Sequence, residues 1–100
     1  MVFDISEQNG KMVAVVSGRL DTPVAVKAQQ EILPLLENAD KEIILDCQKL
    51  EYISSSGLRL FLTIRKEASS KGGKVIIEHI SDEIKKVFMM TGFSNLFEIR

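Results

Sequence analysis

The chain has 100 residues, 45% of them hydrophobic, which is the length of one domain with enough apolar material for one core. Basic and acidic residues are interleaved to a net charge of −1, so there is no electrostatic footprint for direct contact with nucleic acid. No run of about 20 apolar residues is available to span a bilayer, Met1-Val2-Phe3-Asp4 lacks signal-peptide character, and the single Cys47 cannot form an internal disulfide, so a cytoplasmic protein without membrane insertion is expected.

Strands and helices alternate along the chain. Val2 to Ser6 and Lys11 to Ser17 read as strands around Glu7-Gln8-Asn9-Gly10, where Asn-Gly signals a hairpin because both residues tolerate positive φ. Gly18-Arg19-Leu20-Asp21-Thr22-Pro23 ends the second strand and opens a helix, with Asp21 or Thr22 as cap and Pro23 at the first helical position. Ala25, Ala28, Ile32, Leu35, Leu36 and Ala39 recur at helical spacing, and Pro34 predicts a kink or an early end. Glu42 to Asp46 is the next strand. The run Ser54-Ser55-Ser56-Gly57 follows, and then an apolar helix carries Leu58, Phe61, Leu62 and Ile64 towards Ser69. Lys71-Gly72-Gly73 stops that helix, and Lys74 to His79 forms another strand. A further helix starts near Asp82 with Ser81 as N-cap and closes at Gly92 as a left-handed cap, with Met89 and Met90 read mostly as core. Asn95 to Ile99 reads as a short last strand.

Such an order requires an α/β fold, with a hairpin feeding parallel pairs through right-handed crossovers. If successive strands are neighbours, the helices share one sheet face. Met12 to Val16 is apolar on both sides, so something must shield part of the other face. Asp21, Asp46 and the stretch through Ser55, and His79 are then expected together at the carboxyl ends of the strands, where open α/β sheets place their functional groups.

Serines before a helix cap its free amides, and the same amides and helix dipole favour a phosphate. A serine of this run, Ser55 included, is therefore both a cap candidate and a candidate phosphorylation switch. Asp21 reads as a helix cap compatible with a partner contact, and Asp46 as a strand-end carboxylate for loop amides or a partner. Arg59, one helical turn beyond Ser55, pairs with a phosphate or stays solvated. A hydrolase reading would combine Ser55, His79 and Asp46, but Ile53 stands where a nucleophile elbow needs its first glycine. One histidine and one cysteine make no zinc or iron ligand set, and no cofactor motif is present.

Three stretches carry a resemblance: Gly18-Arg19-Leu20-Asp21, Ile44-Leu45-Asp46 with Leu50, and Ile53-Ser54-Ser55-Ser56-Gly57-Leu58. With Ile80-Ser81 through Ile84, Val87-Phe88, Thr91-Gly92-Phe93 and Leu96-Phe97, they resemble, over nearly the whole chain, a STAS domain of the bacterial anti-anti-sigma type. The resemblance implies a STAS-like fold over residues 1–100, a small mixed sheet with about three to four helices. It implies a regulator rather than an enzyme. Its unmodified form binds an anti-sigma factor that is a serine kinase, phosphorylation reverses this, and a PP2C-type phosphatase resets it. By the same alignment Ser55 is the phosphosite. The family usually has Asp where this chain has Ser54, which leaves Ser54 and Ser56 as secondary acceptors. Partner contacts are implied at Asp21, Thr22, Asp46, Ser54, Ser56, Gly57 and Arg59, in a monomer or weak dimer. The alternative within the family is a standalone STAS subunit of a lipid transporter or stress-signalling scaffold.

Overall fold

In the computed structural model, which describes residues 2–100, Asn9 and Gly10 adopt φ of 53° and 78° and close a two-residue hairpin between β1 (Phe3–Gln8) and β2 (Lys11–Leu20). The turn is tighter than the expected four residues, because Glu7 and Gln8 still pair with Met12 and Lys11. β2 also outruns its expected end at Ser17. Gly18 takes φ of 78°, the ladder shifts register on either side of it, and pairing resumes to Leu20.

The first helical segment breaks where Pro34 demands it, into α1 (Thr22–Glu31) and α2 (Leu33–Glu37), with Pro34 in the first turn of α2. β3 (Glu42–Ile53) is more than twice its expected length. α3 (Ser55–Lys71) ends at Gly72, left-handed at φ of 85°, and α4 (Asp82–Met90) begins under the hydroxyl of Ser81, which accepts from the Ile84 amide at 3.2 Å. Between them β4 (Lys74–Glu78) stops one residue early, because His79 turns away at φ of 60°. The expected last strand divides into a 3₁₀ turn at Phe93–Asn95 and β5 (Glu98–Ile99).

The sheet order is β1-β2-β3-β4-β5, with β1 antiparallel and every other pair parallel. Right-handed crossovers between adjacent strands put the helices on one face. That face supplies Phe3, Ala14, Val16, Ile43, Leu45 and Ile77 to the core, against Ala28, Phe61, Ile64 and Phe88. Phe3, Phe61, Phe88 and Phe97 form a chain of aromatic contacts with ring centroids 6.0–6.3 Å apart. Met89 and Met90 are not core: they are 61% and 86% exposed, because Ile84 and Phe88 take the inward positions of α4.

The opposite face shields itself. Ser6, Val13, Ile44, Ile76 and Glu98 lie in one register row, with Lys11, Glu42 and Lys74 in the row beside it. Lys11 Nζ is 2.9 Å from Glu42 Oε2, off-line for a hydrogen bond, and Lys74 Nζ lies 3.5 Å from Glu42 Oε1 and 3.9 Å from Glu98 Oε1. Long stems of alternating charge fence the apolar row, in which Ile76 is fully buried and Val13 and Ile44 half-buried. The neighbouring Lys11 ammonium, helped by Lys74, holds the Glu42 carboxyl below its ordinary range.

Candidate functional site

Past the pair Asp46–Glu78, β2 and β3 leave β4 behind and continue together as a ribbon. Leu20 and Ile53 are the last partners in that ribbon, so α1 and α3 start side by side at its end. Each start is capped by the residue that follows. Asp21 Oδ1 accepts from the Val24 amide at 3.1 Å, and Ser54 Oγ accepts from the Gly57 amide at 3.2 Å. The Ser54 amide donates to the Leu20 carbonyl at 2.9 Å, which ties the two starts together. Neither helix carries an acidic residue in its first turn.

The serines divide their roles accordingly. Ser54 is half-buried and is the cap, in the position where a carboxylate was the alternative. Ser55, at the first helical position, is exposed, and its hydroxyl has no hydrogen-bond partner among the described residues. Ser56 is half-buried in a groove between α1 and α3, and Thr22 is exposed at the first position of α1. Arg59 is exposed on α3 and forms no ion pair among the described residues. Asp21, Thr22, Ser54, Ser55, Ser56 and Arg59 thus surround the paired helix starts.

Two expected partner-binding residues stand elsewhere. Gly57 is buried, and a Cβ on it would lie 2.8 Å from Ile53 Cγ1, 2.8 Å from Leu20 Cγ and 3.0 Å from the Leu20 carbonyl oxygen. It faces the ribbon, where it lets α3 approach, and not a partner. Asp46 is not at the end of its strand. It pairs with Val15 in register, and roughly 26 Å of chain separates it from Ser54 at about 3.3 Å per residue. There its Oδ1 accepts from the Gln48 amide at 3.1 Å and meets His79 Nδ1 at 3.1 Å. Ser55, His79 and Asp46 therefore assemble no triad. The expected acidic edge shared by Asp21 and Asp46 does not form either.

Sequence reasoning also missed neighbours of the site. The Arg19 guanidinium sits 4.4 Å from the centre of the Tyr52 ring, a pair that faces across the ribbon. Val26, 61% exposed, lines the groove with Ala25, Gln29 and Leu60. These residues were hidden because the ribbon register and the approach of α1 to α3 are long-range. Cys47 is buried beneath the sheet, where desolvation and then the Asp46 charge push its thiol up to about 12. Among the described residues there is no group of three or more side chains suited to hold a metal ion.

A sequence profile of the STAS domain family matches residues 3–100. BtrV of Bordetella bronchiseptica, a candidate anti-sigma factor antagonist, is 24% identical over 99 residues, covering 99% of this chain and 85% of its own. The anti-sigma-B factor antagonist of Bacillus subtilis is 26% identical over 97 residues, covering 96% of this chain and 87% of its own. Among solved structures, a candidate anti-sigma factor antagonist from Thermotoga maritima superposes with a TM-score of 0.86 at 20% identity, over 97% of this chain and 84% of that one. The phosphorylated form of SpoIIAA from Bacillus superposes with a TM-score of 0.72 at 22% identity, over 98% of this chain and 90% of that one. The expected α/β architecture, a hairpin leading into parallel units with about three to four helices, is observed here with four and is the fold these structures share. No helix among the described residues is long and apolar enough to cross a membrane.

Proposed function

The chain belongs to the STAS domain family, and from that premise we propose that it is an anti-sigma factor antagonist switched by phosphorylation of Ser55. The unmodified protein binds an anti-sigma factor that is also a serine kinase and so frees a sigma factor. The kinase moves the terminal phosphoryl group of ATP onto Ser55 Oγ, the hydroxyl proton leaves, and the complex dissociates. A PP2C-type phosphatase hydrolyses the ester and restores binding. The whole chain acts as one STAS domain in the cytoplasm, as a monomer or weak dimer.

The observation that carries this reading is the state of Ser55. Its hydroxyl is exposed and unbonded at the first position of α3, while Ser54 beside it is occupied as the cap. A kinase can take Ser55 without undoing the helix start, whereas using Ser54 would cost the cap. SpoIIAA, solved in both phosphorylated and unphosphorylated forms, gives the same chemistry a precedent in the fold. A role as hydrolase lacks support, because the one histidine is held by Asp46 far down β3 from Ser55.

Phosphate on Ser55 adds nearly two negative charges at neutral pH. The free amides at the starts of α1 and α3 can solvate it without refolding. Repulsion and desolvation then act only on a partner packed against this end of the ribbon, which makes the switch local. Mass spectrometry of the protein isolated from its own cells tests the reading. Phosphate on Ser55 in a fraction of molecules supports it. If the protein is unmodified in all growth conditions and co-purifies with transporter subunits, the transporter role replaces it.

A further inference from the structure

The groove beside Ser55 has a chemistry of its own. It holds about 300 Å³ between α1 and α3, with buried Ala25 and Leu60 as floor and Val26, Gln29, Ser56 and Arg59 around it. Val26 is 61% exposed, although its neighbours Ala25 and Ala28 are buried, so α1 offers an uncovered apolar side chain at the rim. Arg59 is the charged member of this lining, and no carboxylate among the described residues neutralises it. Asp21, the acidic group at the helix starts, is occupied by the Val24 amide.

We infer that this groove receives a partner segment presenting an apolar side chain beside a carboxylate, the carboxylate pairing with Arg59, and that phosphate on Ser55 captures Arg59 from it. The apolar side chain covers Leu60 and Val26. Charge complementarity selects the acidic neighbour, because a cationic or neutral segment would leave the guanidinium desolvated and unpaired. Ser55 and Arg59 are four residues apart on one helix, a spacing that brings their Cβ atoms to about 5–6 Å. Helical side chains lean towards the N-terminus, so Arg59 leans over the turn that carries Ser55. A phosphate there is a stronger acceptor than a carboxylate and is held on the same helix, so it competes at high effective concentration. This deepens the proposed switch, on which the identity of the partner rests: the modification removes the receptor for the partner's carboxylate as well as adding charge.

The test uses fragments in place of the partner. The ¹⁵N-labelled protein is titrated with 3-phenylpropionate and with the neutral 3-phenylpropionamide, as wild type, as Arg59→Gln, with phosphoserine installed at position 55, and as the control Lys66→Gln, which removes an exposed cation of α3 outside the groove lining. The carboxylate is expected to shift the amides of Val26, Arg59, Leu60 and Thr63 saturably. Its affinity should fall about threefold in Arg59→Gln and in the phosphorylated protein, the range of one exposed ion pair, and stay unchanged in Lys66→Gln. The amide probe should bind wild type and Arg59→Gln equally. ³¹P titration should place the second ionisation of the phosphate about 0.2–0.7 pH unit higher in Arg59→Gln, because the guanidinium favours the dianion. Equal carboxylate affinity in wild type and Arg59→Gln, shifts away from the groove, or an unmoved phosphate ionisation would overturn the inference. None of these readouts depends on whether cells phosphorylate Ser55, so the groove and the switch fail separately.

Discussion

Replacing Gly57 with valine should damage folding before it damages recognition. A Cβ at this position meets two carbons at 2.8 Å and the Leu20 carbonyl oxygen at 3.0 Å, whereas carbon atoms rest at about 3.5–4.0 Å. Relieving that overlap means moving Ile53 and Leu20, both in the core, and displacing the carbonyl that accepts from the Ser54 amide. Overpacking of this kind costs about 1–3 kcal/mol, and the two methyl groups of valine place it at the upper end. The gain in helix propensity over glycine offsets less than about 1 kcal/mol. A net loss of about 2–3 kcal/mol in a domain of this size lowers Tm by roughly 8–24 °C. Alanine, with one carbon and a larger propensity gain, should lose less than half as much. Thermal and urea denaturation followed by circular dichroism measure both variants. A valine variant melting within a few degrees of wild type would refute the packing role and return Gly57 to the partner surface.

The cap at Ser54 offers a graded test. Ser54→Ala should cost about 1 kcal/mol, and Ser54→Asp should match or exceed wild type because a carboxylate also complements the helix dipole, as read from denaturation midpoints. Cys47 should resist iodoacetamide in the native protein near neutral pH and react once urea unfolds it. Its thiol is raised from 9.0 to about 12, so the neutral form is favoured by folding; that stability is complete below about pH 9 and is lost as pH climbs towards 12. Cys47→Ala should accordingly show a flatter decline of stability across that alkaline window. Glu42, held low by Lys11, contributes stability above its ordinary value of 4.5 that disappears as pH falls below it. Glu42→Gln should therefore flatten the acid side of the stability profile, and high salt should narrow the difference at neutral pH.

Much of the fold could be read from local chemistry. Asn9-Gly10, Pro34, Gly72 and the caps Asp21 and Ser81 each act through their own backbone, so the hairpin, the broken helix and most helix ends follow from residue type. The second half of β3 could not be read this way. From Cys47 to Ile53 the buried positions are Cys47, Leu50 and Ile53, a period of three imposed by the bulges of the ribbon, which erases the alternation that signals a strand. Losing the ribbon misplaced Asp46, which looked like a strand end because the apolar run stops there. Gly57 was misjudged for a related reason: its inward contact comes from Leu20, thirty-odd residues earlier, and is created only when α3 docks on the ribbon. In the serine run the choice of Ser54 as cap depends on where the ribbon ends at Ile53, and this leaves Ser55 exposed at the first helical position. The groove with Val26 and Arg59 was not legible, since it exists only where α1 meets α3.

The central claim is that phosphate on Ser55 decides whether the partner binds. It is tested most directly by calorimetric titration of the anti-sigma factor kinase from the same organism into the unmodified protein and into protein carrying phosphoserine at position 55. Tight binding of the unmodified form and a loss of at least a hundredfold on phosphorylation, roughly 3 kcal/mol or more, is the predicted result. Equal affinity of the two forms, or binding by the phosphorylated form alone, would contradict it.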